Sequence, residues 1–397
     1  MASENTLPEK HVENRGASSR SRRFRSFWIS FFLVFICAAF AAWCVRGDLR
    51  AYTILTHFVS PQASDPLLRW TSNAVTVEDV TMATENGPVR GKLYLPVGIS
   101  HPQGMVVVHG MHHLGIDEPR LMSFARGASE AGLAVFTAEL TALADYQVDR
   151  TSVATICEAP RWLQQRLGGG PVFVTTLSFS GGLALLAARE PACAQHIRAL
   201  VLFGAYDDLA RVCRYLVTGQ AVYPDGHVLA LPAHPYGPQV FVYAHLADFF
   251  PHDDLPVAHD ALRYWLWEEP QNAKPLLDKL SPAARATMED LFADRMATLR
   301  PKILEVIRTQ KPEFAALSPH GQMSDLRVPV LIFHGTTDNI IPSSESVWVA
   351  GEVPSKELRA VLITPTFSHV DPQQKVTWAD QLRLVHFIGS IFRTPSD

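Results

Sequence analysis

The sequence predicts an α/β fold: a mostly parallel, doubly wound sheet with a largely helical insertion and one membrane-spanning helix in front. Three observations carry that expectation. Short apolar runs alternate with helical stretches from Met105 onward, the rhythm stops for more than a hundred residues after Phe203 and then resumes, and an uncharged apolar run stands near the N-terminus.

Thr76 to Ala83 and Val89 to Leu95, joined through Glu85-Asn86-Gly87-Pro88, read as an antiparallel hairpin. Strands are then expected at Met105 to Val108, Leu133 to Ala138, Val172 to Leu177 and Ile197 to Phe203. Helices fall between them at Pro119 to Ala131, Ser152 to Leu167 and Gly182 to Arg189. Such alternation means parallel strands with right-handed crossovers, and runs such as Leu200-Val201-Leu202-Phe203 are apolar enough to be covered on both faces. Two more strands, Val328 to His334 and Leu358 to Ile363, complete the sheet.

Between Gly204 and Leu326 the segment is too long for a bare loop. Helical candidates run from Val257 to Glu268 and from Ser281 to Thr309, so a cap over the catalytic edge of the sheet is expected. Its aromatics, Phe241, Tyr243, Phe249, Phe250, Tyr264, Trp265 and Trp267, are core residues of the cap or walls of an apolar acyl site.

The chemistry centres on Ser178-Phe179-Ser180-Gly181-Gly182, between a strand and a helix. A strained strand-turn-helix lifts a serine hydroxyl out of the sheet and above a helix N-terminus, and it requires small residues nearby. Centring the turn on Ser180 gives it glycine on its C-terminal side, whereas Ser178 has Thr176 and Ser180 at its flanks. Ser180 is therefore the expected nucleophile.

A serine needs a base, and the base needs an orienting partner. Asp338, after the strand ending at His334, and His369, after the strand ending at Ile363, fill those roles in the order Ser, Asp, His. Asp207 and Asp208, after Phe203, are the alternative acid, and Asp371 reads as a capping residue before the last helix. The backbone N–H groups of Met111 and Gly181 would form the oxyanion hole. His109, His112 and His113 lack further ligands at metal spacing, so no metal is expected, and His109 reads as a residue tying its loop together.

These residues carry a resemblance. His109-Gly110, Ser178-Phe179-Ser180-Gly181-Gly182, His334-Gly335-Thr336-Thr337-Asp338 with Pro342, and Phe367-Ser368-His369 are similar to the motifs of α/β-hydrolases over about 75–204 and 327–395. Val89 to Pro96 resembles the hairpin strand that opens the dienelactone-hydrolase-like and acyl-peptidase-like branches. The resemblance implies an oxyanion loop, nucleophile, acid and base at these positions. Ser178 departs from it by replacing the usual first glycine.

Phe27 to Val45 is nineteen residues long and free of charge, enough to cross the roughly 30 Å hydrocarbon core as a helix. Arg15, Arg20, Arg22, Arg23 and Arg25 precede it, which puts the tail in the cytoplasm and the catalytic part across the membrane. A cleaved signal peptide with release of the protein is the alternative, on Ala39-Phe40-Ala41 and Arg22-Arg23. The expected division is a disordered basic tail (1–23), a signal-anchor (24–46), a juxtamembrane linker (47–74), the core (75–204 and 327–397) and the cap (205–326).

A net charge of −4 gives no electrostatic case for nucleic acid. Cys157, Cys193 and Cys213 lie outside the anchor, and one pair can form a disulfide that spacing does not select. No dinucleotide fingerprint or phosphate loop is present, so no cofactor is indicated. The expected activity is hydrolysis of a small or lipid-like ester, or of an amide or thioester, through an acyl-enzyme. Acyl transfer or peptidase chemistry on the same site, and a non-catalytic tethered binding protein, are the alternatives.

Overall fold

The computed structural model describes residues 45–60, 63, 66–368 and 377–394, with a few isolated helical positions (32, 34–36, 38 and 39) before them. Most of the apolar run Phe27 to Val45 lies outside the described residues. Among the described residues no helix is long and apolar enough to cross a membrane.

Residues 47–397 form one compact unit built on an eight-stranded sheet. Its strands are β1 (Val75–Thr84), β2 (Gly87–Pro96), β3 (Gln103–Val108), β4 (Leu133–Ala138), β5 (Val172–Leu177), β6 (Ile197–Phe203), and, after the insertion and its short hairpin, β9 (Val330–Gly335) and β10 (Leu358–Thr364). Their spatial order is β1-β2-β4-β3-β5-β6-β9-β10. β1 and β2 pair antiparallel through a two-residue turn, Glu85-Asn86, where Gly87 takes a left-handed φ of 109°. β2 also runs antiparallel to β4, and every later pairing in this sheet is parallel.

Alternation of side chains across the pleat explains why the central strands are apolar throughout. On β3, Val106 and Val108 enter one core layer, whereas Met105 and Val107 enter the layer on the opposite face. Helices α1 (Pro119–Glu130), α2 (Arg150–Leu167) and α3 (Ser180–Arg189) supply the crossovers. α1 starts where Glu118 accepts the Leu121 N–H and Pro119 needs no donor. α2 starts on Asp149 and ends at Gly168 in the left-handed conformation. Cys157 on α2 is disulfide-bonded to Cys193, with their Cα atoms 5.0 Å apart, and Cys213 is a buried free thiol.

Between β6 and β9 the chain builds α4 (Leu209–Thr218), the hairpin β7 (Gln220–Val222) and β8 (Val228–Ala230), then α5 (Tyr236–Ala244), α6 (Leu255–Leu266), α7 (Pro282–Phe292) and α8 (Met296–Thr309). The expected helix Ser281 to Thr309 is therefore two. It breaks where Asp294 takes φ 52° and Arg295 turns back to the Asp290 carboxylate at 2.8 Å. The hairpin is an element the sequence reading did not anticipate. Of the insertion's aromatics, Phe241, Tyr243, Phe249 and Phe250 are buried, and Trp265 stacks on Phe292 with centroids 3.9 Å apart.

Candidate active site

The loops at the carboxyl ends of β3, β5, β9 and β10 meet the insertion around a cleft of 820 Å³. Met111, Ser178, Asn339 and Ser368 come to it from these four strand ends, and His234, Tyr236, Trp265 and Glu268 from the insertion.

The apex of the β5 turn is Ser178. It is the first residue after the strand, it has φ 60°, and it lines the cleft. A non-glycine residue held in this region is strained, and such strain persists where the surrounding structure enforces it.

Ser180, the serine expected at the apex, lies within the first turn of α3 and is fully buried. Its Oγ accepts the Leu177 N–H at 3.1 Å and lies 2.9 Å from the Leu177 carbonyl and 3.3 Å from that of Val108, to which it can donate. This hydroxyl is committed to the backbone, and Ser180 is not among the residues that line the cleft. It pins the end of β5 to the start of α3.

Gly181 is likewise displaced from its expected role. Its N–H donates to the Ser178 carbonyl at 2.9 Å, so it closes the turn and is not offered to an oxyanion. The two glycines serve helix packing. A Cβ on Gly181 would stand 2.5 Å from the Ala205 Cβ, and one on Gly182 would stand 2.4 Å from the Tyr206 ring. With Ser178 at the apex, the residue after it is Phe179, which also lines the cleft.

Met111 lies on the loop after β3 and lines the cleft. His109 holds this loop: its Nε2 accepts the Leu140 N–H at 2.9 Å, which leaves Nδ1–H to donate to the Gly110 carbonyl at 2.7 Å. Burial holds the His109 ring below the usual histidine range, as this pairing requires.

Asp338 is fully buried three residues beyond β9. Its Oδ1 accepts the N–H groups of Ile340 and Ile341, each at 2.9 Å, and its Oδ2 lies 3.3 Å from His334 Nε2. His334 is fixed in turn by Ser346 Oγ at 2.6 Å and by the Ile341 carbonyl at 2.9 Å.

His369 lies outside the described residues, as does Asp371. The residue before His369, Ser368, lines the cleft. The strand that launches Asp338 is pressed against this loop, since a Cβ on Gly335 would meet the Ser368 carbonyl oxygen at 1.9 Å and that of Phe367 at 2.3 Å. Only glycine permits that approach.

The alternative acids are engaged elsewhere. Asp208 caps α4 by accepting the Arg211 N–H, and Asp207 is bound by Arg211 at 2.7 Å and by His320 at 2.8 Å. His112 and His113 stack at the cleft with centroids 4.7 Å apart, and burial lowers both below the ordinary histidine value. Among the described residues the one group spaced to hold a metal is Asp207, His320 and Glu352, away from the cleft. There the Arg211 guanidinium already occupies the Asp207 oxygen that faces His320, a fixed positive charge where a cation would sit.

Tyr146 was not anticipated by sequence reasoning. It follows the short helix Thr141–Ala144 with φ 60°, donates from its hydroxyl to the Leu266 carbonyl at 2.9 Å, and so ties the core to the insertion at the cleft wall. Nothing in its local sequence signals that role.

No protein-family model matches this sequence, and no curated protein sequence matches it. Among solved structures it is similar to the rice cell wall degrading esterase LipA from Xanthomonas oryzae, at 14% identity and a TM-score of 0.51, over 86% of this chain and 95% of that one. The 2,6-dihydroxy-pseudo-oxynicotine hydrolase has 14% identity and a TM-score of 0.48 over 80% and 68% of the two chains. An esterase of Pyrobaculum calidifontis has 16% identity and a TM-score of 0.43 over 89% and 93%. At such identities the likeness to LipA speaks of architecture, and with the strand order it shows that this chain has the α/β-hydrolase fold.

Proposed function

We propose that the protein is a serine hydrolase that cleaves a carboxylic ester through an acyl-enzyme, with Ser178 as nucleophile. The observation that carries this reading is the strained φ of Ser178 at a strand-helix turn facing the cleft. Ser178 Oγ attacks the acyl carbon while His369 takes its proton, and Asp338 orients the imidazole and stabilises its charged form. The N–H groups of Met111 and Phe179, beside the N-terminus of α3, receive the negative charge on the carbonyl oxygen. His369 then protonates the departing alkoxide. Water, deprotonated by the same histidine, attacks the acyl-enzyme and releases the acid, and the proton returns to Ser178.

A fluorophosphonate probe applied to the full-length protein, with the labelled peptide located by mass spectrometry, separates the two serines. Labelling is expected at Ser178, lost in Ser178→Ala and retained in Ser180→Ala. Loss in Ser180→Ala alone would return the role to Ser180, and no labelling of folded protein would favour a non-catalytic binding role. Turnover in Ser178→Ala is expected to fall by on the order of 10⁴ or more.

Membrane attachment is part of the same proposal and rests on the uncharged run Phe27 to Val45. Alkaline carbonate is expected to leave the protein in the membrane fraction, and its release would remove this part.

A further inference from the structure

We infer that a side chamber next to the cleft is the acyl-chain site, and that it selects esters of short to medium unbranched aliphatic acids. This rests on the serine-hydrolase reading above. The chamber has a volume of 180 Å³ and lies between α4 and α5. Leu209, Leu216, Val240 and Phe241 form its apolar wall. A recess of this size walled mostly by apolar side chains suits an apolar ligand.

Its position relates it to the reacting carbonyl. Met111, Tyr146 and Phe179 line both the chamber and the cleft. Two of these three carry the N–H groups assigned to the oxyanion. An acyl carbon whose oxygen points at those N–H groups therefore has the chamber mouth beside it, and the chain it bears runs over Phe179 and Met111 into the chamber. The large cleft, with Glu118, Arg120 and Glu268 in its wall, is left for the alcohol part. Apolar side chains make up most of the chamber lining, with Gln147, His245, Gln310 and Glu313 among the rest, and the charged groups of the cleft can meet a hydroxylated or charged leaving group.

Size sets the chain length. Taking roughly 30 Å³ for a group the size of a water molecule, the chamber accommodates on the order of six chain atoms. Gln310 and Glu313 also line the chamber, and a chain long enough to lie against them meets polar groups there. The α4–α5 wall is closely packed, since a Cβ on Gly237 would stand 2.5 Å from Leu216 Cδ2, so the chamber has little room to widen there.

The test is the ratio of kcat/KM for p-nitrophenyl acetate, butyrate, hexanoate and decanoate with the full-length protein and with Ala244→Phe and Leu216→Trp. Ala244 is half-buried on the last turn of α5 and Leu216 lines the chamber from α4, so the two variants fill the chamber from different walls. The wild type is expected to prefer butyrate and hexanoate. Either variant is expected to lose about tenfold or more on hexanoate while keeping acetate within about threefold, which also shows that it is folded. An unchanged hexanoate-to-acetate ratio in both folded variants overturns the inference.

If no ester is hydrolysed, or if Ser178→Ala hydrolyses them as well as the wild type, the hydrolase reading has failed. The chamber is then judged by saturation-transfer NMR of sodium hexanoate with the Ser178→Ala protein. Binding that Ala244→Phe abolishes sustains the chamber as an aliphatic site, and the absence of such binding removes it.

Discussion

Two buried carboxylates stand at the ends of adjacent strands, Asp207 after β6 and Asp338 after β9, and both are fully excluded from solvent. Their surroundings differ. Asp207 is held by charge: Arg211 bridges it to buried Glu345, which accepts the Arg211 Nε at 2.6 Å and the N–H groups of Asp207 and Asp208 at 3.0 Å each. Asp338 is held by the N–H groups of Ile340 and Ile341 and by the His334 ring. In the proposed mechanism Asp338 is the carboxylate that would orient an imidazolium, whereas Asp207 is already paired with a guanidinium and would gain little from another cation. Two equally buried carboxylates can thus be held in different ways, one by a guanidinium and one by backbone N–H groups and a histidine ring.

The sharpest way to break this contrast is Asp338→Asn, which keeps the shape and removes the charge. A fall in kcat on the order of 10⁴ is expected, with the thermal midpoint little changed. Equal turnover would transfer the role to another carboxylate. Arg211→Ala has the opposite signature. It leaves Asp207 and Glu345 buried without their cation, so a loss of about 3–5 kcal/mol in stability is expected from denaturant unfolding, with kcat of the surviving folded protein within about threefold.

The smallest effect is a pH slope. Burial pushes Asp207 up to about 6 in spite of Arg211 beside it. An acid raised above its ordinary value binds its proton more tightly folded than unfolded. Its contribution to stability is therefore fully present below about pH 4 and is lost as pH rises through about 6, a change on the order of 3 kcal/mol. Asp207→Asn is expected to remove that component from a series of thermal midpoints between pH 4 and 7. An identical series in both proteins would mean that Arg211 holds Asp207 ionised throughout.

Much of this architecture was legible because it rests on periodicity. Apolar runs at β3, β5, β6 and β9 have to be strands covered on both faces, and the Asp338 turn announces itself by following one of them. The choice between Ser178 and Ser180 was not legible from composition. Glycine was sought as the mark of the turn, but here the glycines belong to the contact of α3 with Ala205 and Tyr206, and a hydroxyl from Ser180 secures the turn. The better signal was the strand boundary itself, because the apex is the first residue after Leu177. The cleft walls contributed by Tyr146 and Tyr236 depend on how the insertion settles on the core, which no local pattern encodes.

The Cys157–Cys193 bond makes a covalent ring of the segment between them, a separation of 36 residues, and that ring encloses β5, Ser178 and the whole of α3. Loop closure of this length reduces the entropy of the opened chain by an amount worth about 4 kcal/mol at room temperature. The strained turn is thereby set inside a circle whose ends cannot drift apart. Heat or denaturant that strips the insertion from the core would leave the strand, the bend and the helix topologically together, although the bend still has to find β3 and Phe203 outside the ring to be remade.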